Sequence, residues 1–232
     1  MAMKKILRYT ISLTLLFSVV SARAQKQEWQ GISIGADLSR FVVPFIDSTR
    51  FGWEFSVDYE ILKDLFIVAE IGSQSTNLTT STYNYSSAGG YTRLGADFNF
   101  MKHLDEKSTD KLLVGLRYGF TTFYHEANNI LIIDDNWGNL SGGKVDRKWL
   151  AANWLEVCLG MRARLINNFY LGWSARMRIK IGVTKDQVMA PYAVPGYGQP
   201  WNSTWTGLNY SLYYKIPIYK KRSKEVEKAL AE

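Results

Sequence analysis

A single cysteine, Cys158, stands among 232 residues, so no internal disulfide is available and the small disulfide-stapled secreted folds are excluded. Histidine is nearly as scarce: His103 and His125 lie far apart and far from Cys158, which leaves no metal-ligand spacing to read. Neither a metal nor another cofactor is expected. Proline occurs five times, three of them between residues 191 and 200, so most of the chain is free of the residue that interrupts regular structure. After the first two dozen residues no run of 18 apolar residues appears, and no membrane-spanning helix is expected. Nor does an amphipathic 3.6-residue period stand out before the charged C-terminal tail.

Acids are missing from residues 1–24, where Lys4, Lys5 and Arg8 precede the apolar run ILRYTISLTLLFSVV and an Ala22-Arg23-Ala24 cleavage pattern. This is the layout of a secretory signal peptide, with the mature chain starting at Gln25, and no cysteine follows to suggest a lipoprotein. The segment carries four of the 28 basic residues and none of the 21 acids, so the remainder is 24 − 21 = +3. The basic pI of 9.3 is therefore largely the leader's, and no nucleic-acid partner is expected.

What the chain does have is alternation. In LGWSARMRIKIG, residues 171–182, Leu171, Trp173, Ala175, Met177, Ile179 and Ile181 alternate with Gly172, Ser174, Arg176, Arg178 and Lys180. A period of two is the signature of a strand, whose successive side chains point to opposite faces. The same pattern recurs in residues 31–40, 52–60, 65–72, 91–100, 112–120, 155–165 and 208–216, which makes eight strands. One face is apolar throughout. The other carries glycines, small polar residues and charges, interrupted only by Phe66, Val68, Leu113, Cys158 and Tyr213.

Alternation alone does not say which face looks out, and a soluble lipocalin-like carrier would point the charges outward. Three features favour the opposite. The polar face is rich in glycine, leaving room for long arginines in a narrow interior. It carries both signs, with Asp37, Glu54, Asp58, Glu70, Asp97 and Glu156 set against Arg93, Arg117, Arg162, Arg164, Arg176, Arg178, Lys180 and Lys215. Buried charges of opposite sign can pair. The apolar face places aromatics such as Trp53, Tyr59, Phe100, Trp173 and Tyr214 near strand ends, as at the two interfaces of a bilayer. In hydrocarbon a sheet must also close, because an open edge leaves backbone groups unpaired. The expected fold is all-β, an eight-stranded antiparallel, up-and-down transmembrane β-barrel of outer-membrane type over residues 25–219. Outer-membrane lipids are its surroundings.

Connection lengths divide into two classes. Tight links at 62–64 and 166–168, with KHLDEKSTDK, oppose long ones at 42–50, 74–88, 126–148 and 184–203. Short periplasmic turns and long external loops are the outer-membrane pattern. Both termini are then periplasmic, with residues 220–232 as a charged periplasmic tail. Among the external segments, NNILIIDDNWG sets Ile130, Leu131, Ile132, Ile133 and Trp137 beside Asp134 and Asp135; it reads either as a strand continued above the membrane or as a surface for a protein or glycan partner. PYAVPGYGQPWNSTW reads as an ordered cap, with Pro191, Pro195 and Pro200 stiffening it and Tyr192, Tyr197, Trp201 and Trp205 over the barrel mouth.

DLSRFVVPFIDSTRFGWEF, VAEIGSQSTN, YTRLGADFNFMKHLDEKS, LVGLRYGF, FYLGWSARMRIK and WNSTWTGLNYSLYYKIPIYKK resemble a family of outer-membrane β-barrel proteins from Bacteroidetes that is catalogued as a domain of unknown function. The resemblance spans nearly all of the mature chain. It implies the same barrel and the same membrane, and it brings no catalytic residues.

Two readings of the interior stay open. Arg162, Arg164, Arg176 and Arg178 form a basic cluster that either pairs with acids across the lumen or holds a small anionic or polar ligand. An eight-stranded interior is filled by side chains, so a porin is excluded on size. The enzyme alternative is a lipid-modifying hydrolase or acyltransferase using His125, a serine and an acid from different strands; Glu126 does not serve, since adjacent strand residues point oppositely.

Overall fold

The computed structural model describes residues 31–62, 64–101, 110–132, 138 and 140–217. The expectations for the leader (1–24), His103, residues 133–137 and the tail (220–232) lie outside the described residues. Among the described residues eight strands run in order: β1 (Gly31–Asp37), β2 (Arg50–Leu62), β3 (Leu65–Thr79), β4 (Asn84–Asn99), β5 (Lys111–Ile132), β6 (Leu140–Ile166), β7 (Phe169–Val183) and β8 (Thr204–Pro217), with one helix, α1 (Ser39–Ile46), between the first two. Each strand pairs antiparallel with the next and β8 returns to β1, so the sheet closes. The fold class read from alternation is the one observed.

The interior and exterior are reversed relative to a water-soluble protein. Leu94, Leu116, Leu155, Trp173, Met177 and Leu208 face outward, while Arg93, Glu156, Asp58 and Arg176 are buried inside. An exposed apolar belt that runs around a whole barrel is matched by hydrocarbon and by no aqueous solvent. The five apolar residues that interrupt the polar face are all buried, and Phe66, Val68 and Leu113 pack as one cluster inside the barrel. A second cluster near the mouth joins Tyr91, Phe123, Leu150, Trp154, Val194 and Tyr197.

The tight turns fall where expected, with Asp64 and Asn167 in the left-handed region at φ 66° and 48°. Three departures have physical causes. The segment read as strand to residue 40 leaves the sheet at Asp37, because the Ser39 amide and hydroxyl both donate to Asp37 Oδ1, at 2.9 and 2.5 Å, and turn the chain. The residues after it are helical: Phe41, Val42, Phe45 and Ile46 recur at helical spacing on one face, a 3.6-residue signal too short to stand out between two strands.

The long links are also mostly strand. Gln74–Thr79 and Asn84–Ala88 remain paired, and the actual turn spans residues 80–83, where Thr80 Oγ1 donates to the Tyr83 carbonyl at 2.8 Å. Likewise β5 and β6 continue to Ile132 and from Leu140, so NNILI extends the wall. Above the apolar belt the outer face meets water, and residues such as Ser75, Asn77 and Ser86 replace leucine there. Alternation of hydropathy fades although the strand persists.

Candidate functional site

The lumen is occupied by an ionic network whose members project from helix α1 and strands β1 to β7. Glu70 on β3 lies 2.9 Å from Arg93 Nη1, 2.5 Å from Arg117 Nη1 and 2.8 Å from Arg176 Nη1. Glu54 on β2 is 3.0 Å from Arg93, 3.0 Å from Arg176 and 3.1 Å from Arg40 of α1, and accepts the Tyr91 hydroxyl at 2.7 Å. Glu156 on β6 contacts Arg93 Nε at 2.8 Å and Arg178 Nε at 3.2 Å and accepts the Trp154 indole N–H at 2.7 Å. Asp97 takes the other end of Arg117 at 2.9 Å, and Asp58 pairs with Arg162 at 2.6 Å. The register explains part of this, since Glu70 faces Arg93 and Glu156 faces Arg178 across ladders.

Asp37, Glu54, Asp58, Glu70, Asp97 and Glu156 thus meet Arg40, Arg93, Arg117, Arg162, Arg176 and Arg178, a balanced set of charges among the described residues. Buried charge is tolerated only in such company. An interior void beside Arg117, Cys158 and Arg162 has a volume of about 10 Å³, room for one water.

Of the four arginines singled out by sequence, the structure brings Arg162, Arg176 and Arg178 into the lumen, each against an acid. Arg162 also stacks on Tyr213, its guanidinium carbon 3.8 Å from the ring centroid. Arg164 is exposed at the rim, where its Nε donates to the Asn167 carbonyl at 2.7 Å and its amide to Asp110. Arg40 is not legible in the sequence, because GISIGADLSR alternates as a strand through residue 40 whereas Ser39–Ile46 is helical. Nor are the carbonyls of the cap: Arg93 Nη2 donates to Gly196 O at 3.0 Å and Arg178 Nη1 to Tyr197 O at 3.1 Å. Lys180 donates to the Pro200 carbonyl.

The segment 184–203 therefore folds into the mouth. Val194 and Tyr197 are fully buried against Trp154 and Phe123, and the Val194–Gly198 bridge shapes the tip. Tyr197 and Trp205 cover the opening, while Trp201 stays exposed.

A second polar cluster lies above the apolar belt. His125 Nε2 is 3.2 Å from Asp186 Oδ2, and Lys148 Nζ is 2.6 Å from Asp186 Oδ1. Ser87 is the cross-strand partner of His125. The three residue types considered for an enzyme are thus neighbours, but His125 and Ser87 are buried, face inward and sit under Tyr85, whose ring lies 6.0 Å from the imidazole. No spacing in the sequence links His125 to Asp186.

Burial pushes the His125 imidazole below its ordinary value of 6.5, against the upward pull of Asp186. Asp186 is held at about 2 by hydrogen bonds from Lys148 and from the Val188 amide. Folded His125 binds a proton less readily than the unfolded chain does. Its contribution to the docked segment is therefore present above pH 6.5 and lost progressively as the pH falls below it. The Asp186 contribution is complete above its ordinary value of 3.8 and is lost as the pH falls from there to about 2. Hydrogen-exchange protection of residues 184–200 is expected to fall between about pH 7.5 and about pH 5, and His125→Gln is expected to flatten that fall. An equal fall in both proteins would mean that His125 does not hold the segment.

The family described as a domain of unknown function (DUF6048) matches residues 6–221. No curated protein matches. Among solved structures, the N-terminal β-barrel domain of Pseudomonas aeruginosa OprF is similar at 13% identity, covering 82% of this chain and 100% of that one, with a TM-score of 0.38. Neisserial surface protein A is similar at 15% identity, covering 81% and 95%, with a TM-score of 0.39. A major outer membrane protein from Thermus thermophilus is similar at 11% identity, covering 81% and 98%, with a TM-score of 0.46.

Proposed function

The chain belongs to the family of unknown function DUF6048, and we propose that within it the chain serves as a closed outer-membrane barrel whose lumen is a structural plug and whose projecting end makes contact with a partner. The observation that carries this reading is the balanced ion network around Glu70, roofed by the Gly196 and Tyr197 carbonyls. Such a lumen conducts nothing, and its arginines are already matched. A small anion at Arg162, Arg176 or Arg178 would have to displace a carboxylate. A lipid substrate approaching the outer surface would not meet the inward-facing His125.

The asymmetry of the links supports periplasmic termini, an external β5–β6 hairpin and, with the apolar belt, residence in the outer membrane of a Gram-negative cell such as a member of the Bacteroidetes. Exposed Ile132, Leu140 and Trp149 on that hairpin make it the surface on which a protein or glycan partner is best sought. The test is electrical. In planar lipid bilayers the wild-type barrel is expected to show no sustained ion current, whereas Glu70→Gln, which unbalances the plug, is expected to leak. Stable wild-type channels of ohmic conductance would replace the plug with a pore.

A further inference from the structure

The barrel wall is incomplete as a sheet. Strand β1 ends at Asp37, its last pairs being Ala36 with Phe55 on β2 and Asp37 with Ser211 on β8, followed by one hydrogen bond of 2.7 Å from the Leu38 amide to the Tyr210 carbonyl. Yet β8 continues to Thr204 and β2 begins at Arg50. Among the described residues, no strand lies between Thr204–Asn209 and Arg50–Glu54. This strand-wide interruption opens beside Leu208 and Phe51, which are exposed residues of the apolar belt. Helix α1 touches both of the strands that flank it.

The helix is built for two environments. On one side Arg40 reaches inward to Glu54 at 3.1 Å and Gln74 at 3.5 Å. On the other, Phe41, Val42, Phe45 and Ile46 form one exposed stripe: Phe41 and Val42 are half-exposed, Phe45 is 90% exposed and Ile46 84%. Four large apolar side chains side by side on a short helix are costly in water and cost nothing in hydrocarbon. The stripe is continuous with the belt through Phe51, Trp53 and Phe55 of β2 on one side and Leu208 and Tyr210 of β8 on the other.

We propose that α1 is a membrane-embedded section of the wall, sealing the gap between β8 and β2 and burying Phe41, Val42, Phe45 and Ile46 among the acyl chains of the adjoining leaflet. Arg40 pins the helix to the lumen network from within, so the seal and the plug are one unit. The unpaired ends of β8 and β2 are shielded from lipid in this way, as hydrocarbon requires of any backbone it surrounds.

The inference rests on the membrane-spanning reading of the barrel, and the experiment separates the two. Single cysteines at Phe45→Cys and Ile46→Cys, with Leu116→Cys in the apolar belt and Asn128→Cys on the projecting end, are placed in a Cys158→Ala background. They are spin-labelled and reconstituted into phosphatidylcholine vesicles. Folding of each is read from its unboiled gel mobility, so either helix site serves if the other fails to fold. The expected result is that the helix labels collide with oxygen and avoid a water-soluble nickel chelate as the Leu116 label does. Helix labels as open to the chelate as the Asn128 label, with Leu116 still lipid-like, would overturn the embedded helix and leave the barrel standing. A chelate-accessible Leu116 label would overturn both.

Discussion

Glu70→Gln is expected to lower the unfolding free energy of the reconstituted barrel by roughly 3–5 kcal/mol, although the substitution is close to isosteric. Glu70 is the anion that Arg93, Arg117 and Arg176 share, with contacts of 2.9, 2.5 and 2.8 Å. Removing its charge leaves three buried guanidinium groups with one carboxylate fewer, and the void beside Arg117, about 10 Å³, admits no more than one water to solvate them. Urea titration followed by tryptophan fluorescence measures the change. The Asp58–Arg162 pair supplies the control, because its two members meet at 2.6 Å. Removing both charges, as Asp58→Asn with Arg162→Met, is expected to cost less than Asp58→Asn alone, since the single change strands a buried cation. A Glu70→Gln loss below about 1 kcal/mol, the range of solvated surface pairs, would mean that the lumen is wet.

Trp154→Ala is the second large effect. The indole is completely buried, packs at 5.9 Å from the Tyr197 ring and donates to Glu156 at 2.7 Å. It fits only because its cross-strand partner is Gly119, where a Cβ would come within 2.2 Å of the ring. Truncation is expected to cost about 3–5 kcal/mol and to leave Glu156 short of a donor. A second consequence is local. Tyr197 and Val194 lose the surface they rest on, so residues 184–203 are expected to become open to trypsin at Lys185. Trp154→Phe retains the packing and loses the N–H; it is expected to cost about 1–2 kcal/mol and to leave the segment resistant. Equal cleavage of the Ala and Phe variants would shift the weight from packing to the hydrogen bond, and no cleavage of either would mean that the segment is held from elsewhere.

Much of the architecture was legible because it is local. Within the apolar belt each strand has hydrocarbon on one side and a charged lumen on the other, so Leu116 beside Arg117 or Met177 beside Arg178 reports its face directly. Where one of those solvents changes, the signal weakens. Above the belt the outer face turns polar while the inner face of β4 to β6 takes Tyr85, Phe123, Ala127 and Val145, so Gln74–Thr79, Asn84–Ala88 and the extension of β6 from Leu140 show no clean alternation although they are paired. Helix α1 was hidden for a different reason, since eight residues hold barely two turns of periodicity. The cap was anticipated from Pro191, Pro195, Pro200 and the aromatics beside them, but not its depth of insertion or the carbonyls of Gly196 and Tyr197 that receive Arg93 and Arg178.

The sequence by itself determined the number of strands, the alternation of the two faces along them and the opposition of acids to arginines, because these follow from a pleat of period two and from the cost of unpaired buried charge. Only the tertiary structure decided which acid meets which arginine. Glu70 and Arg176 are 106 residues apart, and His125 and Asp186 are 61 apart. Ring closure and the register of each ladder set those distances, and no local pattern records them. It also decided that three of the four arginines singled out turn inward while Arg164 does not: past Arg162 the strand runs out to the rim, and a residue of the inward parity meets water and the Asn167 carbonyl instead of the lumen.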